Sequence, residues 1–162
     1  MTDSRTDVLE TVWEHVVERF REQGFAHPAD ARLSFDPTRH DSCRHFAATT
    51  TDGAEVLVAP ALADMPYQTM LAILAHEAGH VEDLCCPGVW WFRNGRLLRS
   101  EFPSKGARKL VRAWEERSDD EVERVADALA EVALGQKIGY VGHSGCLVQF
   151  VGRGKKRPTG LR

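Results

Sequence analysis

Apolar residues recur along this chain with two periods, and the change from one to the other marks its elements. Between residues 7 and 23, Val8, Leu9, Val12, Trp13, Val16, Val17 and Phe20 fall at helical spacing and predict an amphipathic helix. Asp7 with Glu10 three residues later resembles a capping box, and Gly24 supplies a stop. The pattern then shortens. "ARLSF" (31–35) reads as a strand ended by Asp36-Pro37. "HFAATTT" and "AEVLVA" flank Asp52-Gly53, a two-residue hairpin signal in which both turn positions need positive φ.

Pro66 opens a second helix, 66 to 85, carrying Met70, Leu71, Ile73, Leu74, Ala78, Val81 and Leu84, and Pro87-Gly88 closes it. "VWWFRNGRLLR" (89–99) predicts another hairpin with Asn94-Gly95 at its tip. Trp90, Trp91 and Phe92 occupy consecutive strand positions, so one face exposes an aromatic unless another element covers it. Core packing is the usual explanation, and a substrate or partner surface is the alternative. A third helix is expected from Ser104 to about Arg117. Ser118, with Glu121 three later, caps a fourth that Gly135 ends. Beyond it lie a glycine-rich segment around a strand, "CLVQF", and a basic tail, "RGKKRPTGLR". Strands come mostly before the second helix and helices mostly after it, which predicts an α+β fold. With no repeat and no linker, one domain is expected over 1–152, followed by a flexible tail at 153–162.

Composition narrows the picture a little. At 162 residues the chain can bury a core without disulfide staples, and 43% hydrophobic with 28% charged residues is that of an ordinary soluble protein. A net charge of −3 gives no reason to expect nucleic acid or an acidic membrane as partner. The charged N-terminus and the lack of a long apolar run argue against a secretory signal and a membrane span, so the cytoplasm is the expected compartment. Cys43, Cys85, Cys86 and Cys146 are then expected to be thiols. His40 with Cys43, and His143 with Cys146, are a weak signal for a second, structural zinc, since neither pair is a CxxC.

The chemistry concentrates in "LAHEAGHVEDL" (74–84). Residues four apart on a helix share a face, with Cβ atoms ~5–6 Å apart, so His76 and His80 can grip one ion. Glu77 lies about 100° around the helix, where it can accept a proton from bound water without being a ligand. Gly79 costs ~1 kcal/mol relative to alanine in mid-helix, which suggests close approach of another segment. A catalytic zinc needs a third protein ligand, and three places offer one. Asp83 shares the histidine face but is short and a turn too far. Cys86 stands where an extended HExxHxxGxxH motif has its last histidine, but Asp83 replaces the glycine that would turn the chain back. On the fourth helix, Glu123 and Asp127 lie one turn apart beside the apolar stripe. Their proximity and partial burial carry a cost that a cation would relieve. Glu123 is therefore the preferred ligand and Cys86 the alternative.

His76-Glu77-Ala78-Gly79-His80 followed by Glu123-Arg124-Val125-Ala126-Asp127 resembles the HExxH…ExxxD pattern of gluzincin-type zinc metallopeptidases, specifically the small, single-domain, soluble members. The resemblance covers roughly residues 45 to 135. It implies a zincin-like fold, with a small mixed or antiparallel sheet packed on the HExxH helix and a glutamate helix. It also implies one catalytic Zn2+ held by His76, His80 and Glu123, with Asp127 hydrogen-bonded to a ligating imidazole, most naturally His76. The implied reaction is peptide hydrolysis by a zinc-bound water with Glu77 as general base. "AEVLVA" would be the edge along which a peptide or protein substrate adds as a strand. Tyr140 and His143 lie in the part of the chain expected to supply an oxyanion donor. Two other functions fit the same scaffold: a regulatory protease with one protein target, and a non-catalytic zinc-binding interaction module.

Overall fold

Helix α1 (Ser4–Glu22) begins earlier than its apolar stripe suggests, because Asp3 and not Asp7 caps it: the Asp3 carboxylate accepts from Arg5 N–H at 3.0 Å. Asp7 instead sits in the first turn, where a negative charge suits the helix dipole. The computed structural model describes residues 3–37, 46–101, 105–141 and 147–150, with 139–141 and 147–150 described as backbone. Leu9, Val12, Trp13, Val16 and Phe20 are the buried face of α1. A short 3-10 turn, His27–Asp30, leads into β1 (Arg32–Phe35).

Strands β2 (Ala47–Thr49) and β3 (Glu55–Val58) form the expected hairpin, but with a longer loop. Gly53 N–H bonds Thr50 O at 2.9 Å, Thr50 N–H bonds Glu55 O at 2.9 Å, and only Gly53 has positive φ. Asp52 keeps a negative φ and its carboxylate accepts from Ala54 N–H and the Thr50 hydroxyl, holding the loop through its side chain. β1 pairs with β3 in parallel and β2 pairs with it antiparallel, giving a mixed sheet of order β1-β3-β2. The strand in "AEVLVA" is thus central. Both its sides are occupied, so it is not the free edge that the resemblance implied; β2 and β1 are the edges.

Helix α2 (Tyr67–Leu84) runs through the middle of the molecule, against α1, the mixed sheet and helix α4 (Asp119–Leu134). Almost every residue from Met70 to Asp83 is buried, so the helix carries its polar residues inside the protein. β4 (Trp90–Arg93) and β5 (Arg96–Arg99) are joined by Asn94 at φ 53° and Gly95 at φ 73°, the left-handed pair that the Asn-Gly signal predicts. Trp90 meets Phe25 edge-on with ring centroids 5.7 Å apart, and Trp91 is buried with its indole N–H bonded to Gly88 O, so core packing accounts for these aromatics. Helix α3 (Ala107–Glu115) starts after Gly106, whose left-handed backbone cannot lie in the helix; Ser104 falls outside the described residues.

Ser118 caps α4 as expected, accepting from Glu121 N–H at 3.2 Å, and Gly135 at φ 70° ends it. The Glu121 side chain does not complete the box, because it is drawn into an ion pair with Arg93. β6 (Ile138–Val141), which the apolar pattern did not reveal, pairs antiparallel with β7 (Leu147–Phe150), the strand within "CLVQF". The fold is α+β. No helix among the described residues is long and apolar enough to cross a membrane. The basic tail, with Cys43, Cys146 and His143, lies outside the described residues, as do His40 and His45.

Candidate metal centre

The polar face of α2 is held against α4 by a contact that only glycine permits. A Cβ built on Gly79 would lie 2.2 Å from Ala126 O and 2.9 Å from Ala126 Cα, far inside van der Waals distance. The backbones of α2 and α4 therefore touch between His76 and His80 on one side and between Glu123 and Asp127 on the other. This is the close approach that a mid-helix glycine suggests.

The consequence is convergence. His76 Nε2 lies 2.8 Å from Glu123 Oε2, and His80 Nε2 lies 3.3 Å from Glu123 Oε1. The two imidazoles meet edge-on, with centroids 4.7 Å apart at 88°. One ligand atom from each of His76, His80 and Glu123 falls within 4.8 Å of the others. A tetrahedral ion bound at about 2.0–2.1 Å sets its ligand atoms about 3.3 Å apart, so a small adjustment would seat one between them. The donor set of two imidazoles and a carboxylate suits a borderline divalent ion.

Asp127, buried on the next turn of α4, is 2.6 Å through Oδ1 from His76 Nδ1. An imidazole that donates through Nδ1 presents its Nε2 lone pair to a cation, so this contact selects the tautomer a ligand needs. Burial opposes ionisation of Glu123, but His76 and His80 outweigh it and hold its carboxyl well below the usual carboxylate range. Glu123 is thus an anion throughout the neutral range, as a ligand must be.

Glu77, about 100° around α2 from His76, faces the sheet. Its Oε2 accepts from the Thr49 hydroxyl at 2.7 Å, so edge strand β2 positions this carboxylate. Thr49 was not singled out from the sequence. The three consecutive threonines of "TTT" give no sign of which one faces the helix.

Asp83 is a structural group. Fully buried, it pairs with Arg117 at 2.7 Å and accepts from the Trp114 indole at 3.0 Å, which ties α2 to the end of α3. Cys86 does not join the histidine pair. Its Sγ lies 3.6 Å from His27 Nδ1 and 3.8 Å from Glu82 Oε1, beyond the end of α2, because the helix continues straight to Leu84 with no glycine to turn it back. Burial, with Glu82 beside it, pushes the Cys86 thiol up to about 12. Tyr140 is in β6, opposite Val148 of β7, the strand that runs beside α2; its side chain is outside the described set. No family model matches the chain, and searches of curated proteins and of solved structures found no match either.

Proposed function

We propose that this protein is a zinc-dependent metallopeptidase of zincin-like, gluzincin-type construction, acting on peptide or protein substrates in the cytoplasm. The observation that carries the reading is the meeting of His76 Nε2, His80 Nε2 and the Glu123 carboxylate from two helices, with Glu77 on the adjoining face. A structural zinc site is closed by four protein ligands, whereas three leave one position for water or substrate. Zinc, when bound, supplies a Lewis acid that polarises a carbonyl and acidifies water.

The remaining work falls to the chain's own groups. Glu77 takes a proton from the attacking water and delivers it to the leaving amine, as a carboxylate within reach of both can do. The Thr49 hydroxyl fixes one Glu77 oxygen and leaves the other for that transfer. Asp127 keeps His76 in its ligating tautomer. The position of β2, bonded to Glu77 and pairing on one side with β3, favours it as the edge that an extended peptide joins.

Zinc content and peptide cleavage, measured on wild type and Glu77→Gln, test this reading. Glu77→Gln should keep its zinc and lose cleavage by ~10²-fold or more. Unchanged cleavage by that variant, or zinc-loaded wild type with no cleavage of any peptide library, would refute it.

A further inference from the structure

Glu82 is buried near the end of α2 but belongs to neither the histidine pair nor Glu123. Its Oε2 accepts from the backbone N–H of His27 at 3.1 Å and lies 2.9 Å from His27 Nδ1. A hydrogen-bonded His–Glu pair explains those two contacts, since it fastens the turn after α1 onto α2. A third group joins the pair. Cys86, four residues beyond Glu82, brings its Sγ to 3.6 Å from Nδ1 and, by a hydrogen bond, 3.8 Å from the other carboxylate oxygen, Oε1. Cys85 next to it turns away, toward Gly53 O at 3.9 Å.

Nitrogen, oxygen and sulfur donors from two separate elements thus converge within 4.8 Å of one another. Zinc bonded at about 2.3 Å to sulfur and about 2.0 Å to nitrogen and oxygen sets its ligand atoms roughly 3.3–3.6 Å apart. The contacts of 2.9 Å to Glu82 Oε2, 3.6 Å between Nδ1 and Sγ, and 3.8 Å to Glu82 Oε1 bracket that range, so a small turn of the carboxylate would offer one oxygen to the ion. Glu82 anchors the inner side, and the His27 side chain, 41% exposed, leaves the outer side open for a fourth ligand from solvent.

We propose that His27, Glu82 and Cys86 form a second metal site, for a borderline divalent transition ion such as zinc, separate from the His76–His80–Glu123 centre. The thiol gives its proton to solvent as the metal–sulfur bond forms, with no change of oxidation state. Sulfur and imidazole disfavour calcium and magnesium. The ion would link the connection between α1 and β1 to the helix that carries the histidine pair, with one position left to solvent.

Cobalt(II) is the discriminating probe, because a thiolate ligand gives a near-ultraviolet charge-transfer band and a His-His-Glu centre does not. In full-length protein with Cys43, Cys85 and Cys146 replaced by serine, that band should saturate at one ion per chain. It should persist when His76→Ala and Glu123→Ala are added, weaken in affinity by at least tenfold in His27→Ala, and vanish in Cys86→Ser. The unmodified chain gives an independent reading: two zinc ions per chain, falling to one in Cys86→Ser. A folded protein with no thiolate band, a band that disappears with His76 and Glu123, or equal zinc content in the unmodified and Cys86→Ser chains would overturn the proposal.

Discussion

At the scale of single residues, the centre depends on which atom each side chain turns toward its neighbour. His76 is held at both ring nitrogens, by Asp127 at 2.6 Å and Glu123 at 2.8 Å. Asp127→Asn keeps the shape and removes the charge that makes the imidazole basic. Zinc affinity, read by chelator competition, should fall ~10–100-fold with the circular dichroism unchanged. An affinity within twofold of wild type would show that Asp127 does not tune the ligand. The convergence of His76, His80 and Glu123 was legible because residue type and helical spacing together constrain them. Thr49 was not, because its role depends on which edge of the sheet lies over α2, and that is a long-range fact. Cys86, the alternative ligand, has a spacing from the histidines that fits a motif requiring a chain reversal; as the missing glycine implied, α2 makes none before Leu84.

Among elements, the decisive contact is α2 on α4. If Gly79 were an ordinary helix position, Gly79→Ala would stabilise the protein by ~1 kcal/mol through helix propensity. With Ala126 O 2.2 Å from the added Cβ, the helices must separate instead, at a cost of ~1–3 kcal/mol for overpacking. Urea denaturation should therefore show Gly79→Ala less stable than wild type, with weaker zinc binding as the histidines retreat from Glu123. A more stable variant would contradict the packing. Arg117 makes a second tie, buried with Asp83 and bonded to Trp90 O at 3.3 Å. Removing one member of a buried pair leaves the other charge uncompensated, so Arg117→Met should lose ~3–5 kcal/mol in the same assay. A loss below about 1 kcal/mol would mean that water reaches Asp83. Most elements were legible from period and punctuation: Asn94-Gly95, Ser118 and Gly135 mark their ends where the residue chemistry requires it. Pairing order was not. Nothing local tells β3 that it will return beside β1 in parallel and become the centre of the sheet.

For the molecule as a whole, α2 is a buried helix that carries a polar site through an apolar interior. The sheet, α1 and α4 enclose it, and each supplies one function: Thr49 from the sheet orients Glu77, α4 brings Glu123 and Asp127, and α1 closes the core. That arrangement explains why a two-histidine motif can be completed some forty residues later in the chain. The α+β class followed from the order of elements; Gly79 signalled only that some segment approaches α2, and that this segment is α4 is a fact of the fold. The most direct test is a zinc-edge anomalous difference map from crystals of the zinc-loaded protein. The account predicts a peak within about 2.2 Å of His76 Nε2, His80 Nε2 and a Glu123 carboxylate oxygen. A peak bound by the histidines without Glu123, or no peak between α2 and α4, would contradict it.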